Sequence, residues 1–285
     1  MNTHLTSTGY RVTNLEDLKE AVPSAFATTY DPRRTEKYSF FSTEEFLKTV
    51  EKVGWVPFSG KQQGSSVFSR HVIRLENPQF GYIQVKNDKI KPQLLIDNSH
   101  NGCSSGKLHL GLFRLVCSNG LVVGIPGMSN SIRFIHMGID APELMKLVAE
   151  TAEQYREVGT HITMMKEIEM SEEQKFEFAS NAMAIREPYH FLKADKTVNL
   201  ENLHKLITPQ ELYKPLREED DSNDLWSVFN VIQERTVNGL YERKSITGRK
   251  SAPKVITNVS RHLDYNKKLW NLAETFMPQE SLITI

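Results

Sequence analysis

Hydrophobic positions change their spacing twice along this chain. Near the N-terminus they recur at helical intervals in two short stretches. Asn14 ahead of Leu15, Glu16 and Asp17 reads as an N-cap with acids in the first turn, and Pro23 stops the pattern after Val22. A second helix is predicted from Ser42, where Ser42 and Glu45 fit a capping box. Phe46, Leu47, Val50 and Val53 then trace one apolar stripe that ends at Gly54.

From residue 66 to 134 the texture becomes that of strands. Runs rich in β-branched and aromatic residues predict strands over 67–75, 80–85, 93–96, 110–117 with 121–123 as a bent or interrupted fourth, and 131–136. The turns at 76–79 and 86–91 are too short for helical crossovers, so the strands form an antiparallel meander. After Asp140 the pattern is helical up to Pro188, with Leu144, Leu147, Val148, Thr151 and Tyr155 on one face. A long helix beside a meander predicts an α+β fold, the antiparallel β-meander packed against that helix.

The remainder predicts a helical C-terminal region. Residues 197–213 are helical in pieces and are followed by an acidic run at 217–221. A helix over 223–238 groups Leu225, Trp226, Phe229 and Ile232, and another over 264–276 groups Leu269, Trp270, Leu272 and Phe276. Trp226 and Trp270 are expected to share a core contact rather than to form a stacking platform. Residues 239–254 read as a loop. The expected organisation is an α+β core with N-terminal helices over 1–190 and a helical region with a basic loop over 191–285.

Charge narrows the classes of partner. Lys and Arg number 35 against 35 Asp and Glu in 285 residues, which excludes a uniformly basic coat and leaves room for a local basic stripe. The stripe lies near the C-terminus: residues 235–268 hold nine basic side chains against Glu242 and Asp264, a local balance of +7. Within it, Arg243, Lys244, Arg249, Lys250 and Lys254 sit on a glycine- and serine-containing loop suited to tracking a phosphate backbone, with Arg70, Arg74 and Arg114 as further candidate phosphate contacts. The competing explanation is a solvated loop whose charge offsets the acidic residues at 218–224.

Other chemistry finds less support. Cys103 and Cys117 stand without a second pair, so neither a zinc ribbon nor a disulfide framework is indicated. His71, His100, His109 and His136 fall in or beside the strand region, yet no HExxH occurs, and no metal or cofactor is expected. Residues 102–108, GCSSGKL, have the wrong spacing for a P-loop and Leu108 where magnesium needs a hydroxyl. No catalytic residue is assigned. The turn Asn98, Ser99, His100, Asn101, Gly102 is a candidate functional loop, with turn formation as its alternative. The N-terminus lacks a basic and then apolar leader, and no run of eighteen apolar residues occurs, so a soluble cytoplasmic protein without a membrane partner is expected.

Several segments together resemble a known family. LEDLKEAVPSAF at 15–26, the Tyr38, Ser39, Phe40 segment and helix over 36–58, residues 70–75, the turn at 98–102, GLFRLVCSNGLVV at 111–123, DLWSVFNVIQERTVNG at 224–239 and LWNLAET at 269–275 are similar to the phage- and plasmid-like proteins of an uncharacterised domain family. Where that family commonly has Asn-Ser-His-Asp-Gly, this chain carries Asn101 in place of the acid. The resemblance implies a mobile-element setting, in which members lie beside antirestriction and RadC-like genes. By analogy with Rad52-like annealing proteins, it leads to the expectation of a non-enzymatic, oligomeric single-stranded DNA-binding or annealing protein. The alternative is a counter-defence protein that contacts a host defence protein through a patch around Tyr38, Phe40 and Phe41.

Overall fold

The computed structural model describes residues 5–6, 9–85, 88–114, 120–122, 132–134, 141–245 and 247–278. Cys117, His136 and the strand residues expected at 115–117, 123, 131 and 135–136 lie outside them. The chain divides into two compact units, Met1–Val158 and Gly159–Ile285. That division falls earlier than the expected boundary at 190.

The N-terminal unit holds β1 (Leu5–Thr6), β2 (Gly9–Arg11), α1 (Leu15–Ala21), α2 (Thr43–Glu51), β3 (Val56–Gln62), β4 (His71–Glu76), β5 (Ile83–Val85), β6 (Asp88–Asn98), β7 (Gly106–Arg114), β8 (Gly120–Val122), β9 (Ile132–Phe134) and most of α3 (Ala141–Glu167). Both early helices start where their caps predict. Asn14 Oδ1 accepts the Asp17 amide at 2.8 Å and Ser42 Oγ accepts the Glu45 amide at 3.1 Å. The strands form one antiparallel sheet in the order β1-β2-β3-β4-β6-β7-β8, with β5 also on β6 and β9 also on β7. The α+β class and its meander are thus present.

The register gives the sheet two unlike faces. Pairs such as Ile73 with Ile96, Leu75 with Leu94 and Leu94 with Leu110 set one face. It is apolar and buried, with Ile73, Leu75, Ile90, Leu94, Ile96, Leu108 and Leu112 at its centre. The early helices cover it: a Cβ on Gly60 of β3 would stand 2.6 Å from Leu18 Cδ1 and 2.7 Å from Val22 Cγ2, so only glycine permits α1 to approach. The other face carries Ser59, Arg74, Gln93, Asp97 and His109, all buried. Tyr155 of α3 lies on that side and donates its hydroxyl to the Gln93 carbonyl.

The C-terminal unit is helical: α4 (Glu172–Arg186), α5 (Pro188–Phe191), α6 (Leu200–Leu206), α7 (Gln210–Tyr213), α8 (Leu225–Asn238) and α9 (Val259–Glu274), with a small hairpin of β10 (Arg243–Lys244) and β11 (Lys250–Ser251) before α9. Phe229 is the hub of its core, its ring centroid 5.7 Å from Trp226, 6.0 Å from Trp270 and 6.4 Å from Phe178. The two tryptophans therefore meet through Phe229, as core residues. The single long helix expected after Asp140 is two, because Ser171 and Gln174 form a reciprocal capping box that starts α4 afresh. Among the described residues no helix is long and apolar enough to cross a membrane.

Candidate functional site

The turn at 98–102 is tied into the N-terminal unit on every side. Asn98 pairs across the ladder with His71, and its Nδ2 donates to Thr43 Oγ1 at 2.9 Å and to the Phe41 carbonyl at 3.3 Å. The Ser99 hydroxyl donates to the Ser104 carbonyl and accepts the Ser104 amide, and the Ser99 carbonyl accepts from Tyr38 Oη at 2.8 Å. The backbone of His100 bonds Phe68 and Asp31. The His100 ring lies fully buried, 4.9 Å from Phe40 and 5.2 Å from His71 between centroids. Asn101 Oδ1 accepts the Cys103 amide at 3.0 Å, closing the turn. This loop fastens residues 24–43 to the sheet and presents no open imidazole for chemistry.

The ring of His71 shows how that fastening works. Nδ1 lies 3.1 Å from the Ser69 carbonyl, which only accepts, so Nδ1 carries the proton. Nε2 of the neutral ring then accepts from Thr43 Oγ1 at 2.9 Å, while that hydroxyl accepts from Asn98. Ser24 Oγ completes the set at 3.1 Å from Nδ1. Burial pushes the His71 pKa down to about 4, against the Ser69 carbonyl and the charge of Asp97.

On the polar face, Arg70 grips Asp97 with Nε at 2.7 Å and Nη2 at 2.5 Å, and His109 Nε2 stands 3.7 Å from the same carboxylate. Burial pushes Asp97 up, but His109 and Arg70 more than offset it and hold the acid below its ordinary range. Arg74 is buried beside Gln93, which lowers its pKa to about 10. Arg114 is buried against Asp88 at 2.8 Å. These three arginines were expected to contact phosphates. In the structure Arg74 and Arg114 are buried, while Arg70, just before β4, keeps 19% of its side chain exposed. Tyr38, Phe40 and Phe41, the residues of the alternative contact patch, are half-buried and packed on the 98–102 turn and Phe46. Among the described residues no group of three His, Cys, Asp or Glu side chains is placed to hold a metal.

The basic segment takes a definite shape in the C-terminal unit. It is a hairpin, with Arg243 paired to Ser251 and Lys244 to Lys250, rather than an unstructured loop. Its turn is fixed by the Ser245 hydroxyl, which accepts the Arg249 amide at 3.1 Å, and by Gly248 at φ +80°. Its base is held just as firmly. Gly239 caps α8 in the left-handed region, where a Cβ would meet the Pro253 carbonyl oxygen at 2.0 Å. Arg186, the buried last residue of α4, donates from Nε to Tyr241 Oη and from Nη2 to the Lys254 carbonyl, both at 2.8 Å, and so holds both ends of the hairpin.

Two of the five cations predicted here are spoken for. Arg243 pairs with Glu187 at 2.5 Å and Lys250 with Glu242 at 2.9 Å. Lys244, Arg249 and Lys254 are exposed, and among the described residues no carboxylate pairs with them. From the sequence, Arg186 and Glu187, which make the anchor, stand out only as the end of the helical pattern before Pro188. The signal available was a charged pair immediately before Pro188.

Comparison with known proteins places the chain. Over 269 residues it is 28% identical to the UPF0380 protein YafZ and 27% identical to the UPF0380 protein YfjQ, both of Escherichia coli strain K12; each alignment covers 93% of this chain and 91% of the relative. No solved structure matches. The family model described as "Domain of unknown function (DUF932)" matches residues 33–270, which contain the 98–102 turn and the basic hairpin, and the chain belongs to that family.

Proposed function

We propose that this protein binds single-stranded DNA through the basic hairpin of its C-terminal unit and acts as a non-enzymatic binding or annealing protein. The observation that carries the reading is the set of three exposed cations, Lys244, Arg249 and Lys254, without carboxylate partners among the described residues, in a chain of zero formal charge. The anchored base supports it further, since a preordered arm loses less entropy on binding than a free loop.

The competing explanation, that the hairpin offsets the acidic run, fits the contacts less well. The two buried acids of that run are committed elsewhere: Asp220 to Arg217 at 2.7 Å, and Asp224 to the cap of α8 and to Lys166 at 3.4 Å. Annealing also requires that two strands be brought together, so the reading includes self-association of the protein.

Fluorescence anisotropy with a labelled single-stranded oligonucleotide tests the proposal. Three phosphate contacts predict a slope of log K against log salt of roughly −2, and the double variant Lys244→Ala, Arg249→Ala should flatten it to about −0.7. Absence of binding at ~50 mM salt, where such contacts are strongest, or a slope unchanged in the variant, overturns it. Light scattering of the free protein and the complex checks the assembly.

A further inference from the structure

Two residues after Glu187, which bonds the hairpin, stands a side chain that packing does not explain. Tyr189, in the single turn α5, is 93% exposed, whereas the next most exposed large apolar side chain among the described residues, Tyr82, is at 51%. Its only ring neighbour among the described residues is His190, edge-on at 5.3 Å. A tyrosine ring normally buries a large apolar area, so near-complete exposure forgoes most of that gain.

The turn holding Tyr189 is rigid. Pro188 fixes its first residue, the amides of His190 and Phe191 both donate to the Glu187 carbonyl at 3.0 and 3.1 Å, and the amide of Leu192 donates to Pro188 at 3.0 Å. Phe191 is fully buried and pins the turn from below. The backbone that carries the exposed ring is therefore held in place.

The same turn is bonded to the hairpin. Glu187, two residues before Tyr189, accepts from Arg243 Nη1 at 2.5 Å and from Tyr241 Oη at 3.2 Å, while Arg186 holds the Lys254 carbonyl. A free aromatic face and three unpaired cations are thus mounted on one frame at the junction of α4 and α5. Cations that follow a phosphate backbone, with an aromatic ring offered to unstacked bases, are the two components of single-strand recognition, because in a duplex the base faces are already occupied by their neighbours.

We infer that Tyr189 is a base-stacking residue and makes this surface selective for single-stranded over double-stranded nucleic acid. The inference rests on the phosphate-binding reading of the hairpin and adds the strand selectivity that cations alone do not supply. Stacking of one base implies that Tyr189→Ala weakens single-strand binding by roughly 5- to 150-fold, with the salt slope unchanged.

The experiment measures equilibrium binding of wild type, Tyr189→Ala and Tyr189→Trp to three probes of equal length: a single-stranded oligonucleotide, its abasic counterpart and a duplex. The expected result has four parts. Wild type prefers the single strand; Tyr189→Ala loses that preference; Tyr189→Trp keeps it; and on the abasic probe wild type and Tyr189→Ala bind alike. If wild type binds but Tyr189→Ala matches it on the single strand, or loses affinity equally on all three probes, the stacking role is overturned while hairpin binding stands. Wild type that binds none of the probes overturns the hairpin reading itself, and the stacking role with it.

Discussion

Acid should loosen the N-terminal unit through one side chain. His71 is neutral in the fold because its complete burial outweighs the Ser69 carbonyl and the charge of Asp97, which favour a protonated ring. The Ser69 carbonyl requires a proton on Nδ1, and the Thr43 hydroxyl, already accepting from Asn98, supplies its own proton to Nε2. A second ring proton would face that hydroxyl donor to donor and would place a charge at full burial.

The sign follows from the two states. The folded pKa is about 4, against roughly 6.5 for an unperturbed histidine. The unfolded chain therefore binds more protons between these values, and stability, complete above the unfolded pKa, falls as pH falls toward the folded one. Over the whole window the loss is about 3 kcal/mol, and about 2 kcal/mol of it occurs between pH ~7 and ~5. Urea unfolding read by peptide-resolved hydrogen exchange over β4 and β6 separates this unit from the helical one. His71→Gln, compared with wild type at each pH so that intrinsic exchange cancels, should lose about 2 kcal/mol less on acidification. Equal losses in the two proteins would refute the assignment. So would an NMR titration in which the His71 ring protonates at an ordinary pKa.

Three further outcomes follow from the contacts. Asp97→Asn strands the Arg70 guanidinium in a largely buried position and should cost about 3 kcal/mol in urea unfolding; it should also remove the acid sensitivity that a depressed carboxyl contributes as pH drops through its folded value. Glu274, pushed up to about 7 by burial although Trp270 Nε1 donates to it, titrates with the opposite sense to His71: the folded state holds its proton longer, so stability falls as pH rises from the unfolded value through 7. Glu274→Gln should accordingly stabilise the helical unit most at alkaline pH, as read from melting curves at several pH values. Gly239→Ala, with φ +68° and the Pro253 carbonyl in the way, should destabilise the hairpin base by about 1–3 kcal/mol and speed tryptic cleavage among residues 243–250.

What the sequence made legible was local. The caps at Asn14 and Ser42, the shared core of Trp226 and Trp270, and the antiparallel sense of the strands all depend on neighbours within a few residues or on turn length. β3 was not legible. It contains Pro57, Gly60 and Lys61, poor strand formers, and it exists because Gly60 lets Leu18 and Val22 seat against the sheet. The ion-pair partners of Arg70 and Arg114 were not legible either. Arg70 lies 27 residues from Asp97 and Arg114 lies 26 from Asp88, and no local pattern announces which carboxylate will meet which guanidinium once the ladder forms. The missed start of α4 is different: Ser171 and Gln174 are a readable capping box, overlooked because helical periodicity continued on both sides of it.

The fate of the charges bears on how the hairpin can work. In the N-terminal unit Arg70 and Arg114 are drawn into ion pairs, and in the helical unit Arg217 spans Asp220 and Glu234 while Arg243 is given to Glu187. On the hairpin, Lys244, Arg249 and Lys254 are exposed and have no carboxylate partner among the described residues. Three cations release few counterions, so a site built of them alone would lose affinity only modestly with salt and would bind weakly throughout. Useful affinity then has to come from a contribution that salt does not screen, or from several copies acting on one strand. On the proposed reading, an exposed ring at Tyr189 would supply the first, at about 1–3 kcal/mol per stacked base, and self-association would supply the second through effective concentration. The two leave different signatures. Stacking follows base identity and disappears on an abasic strand, whereas avidity follows strand length and persists on it, so probe length and base content together determine which of them carries the binding.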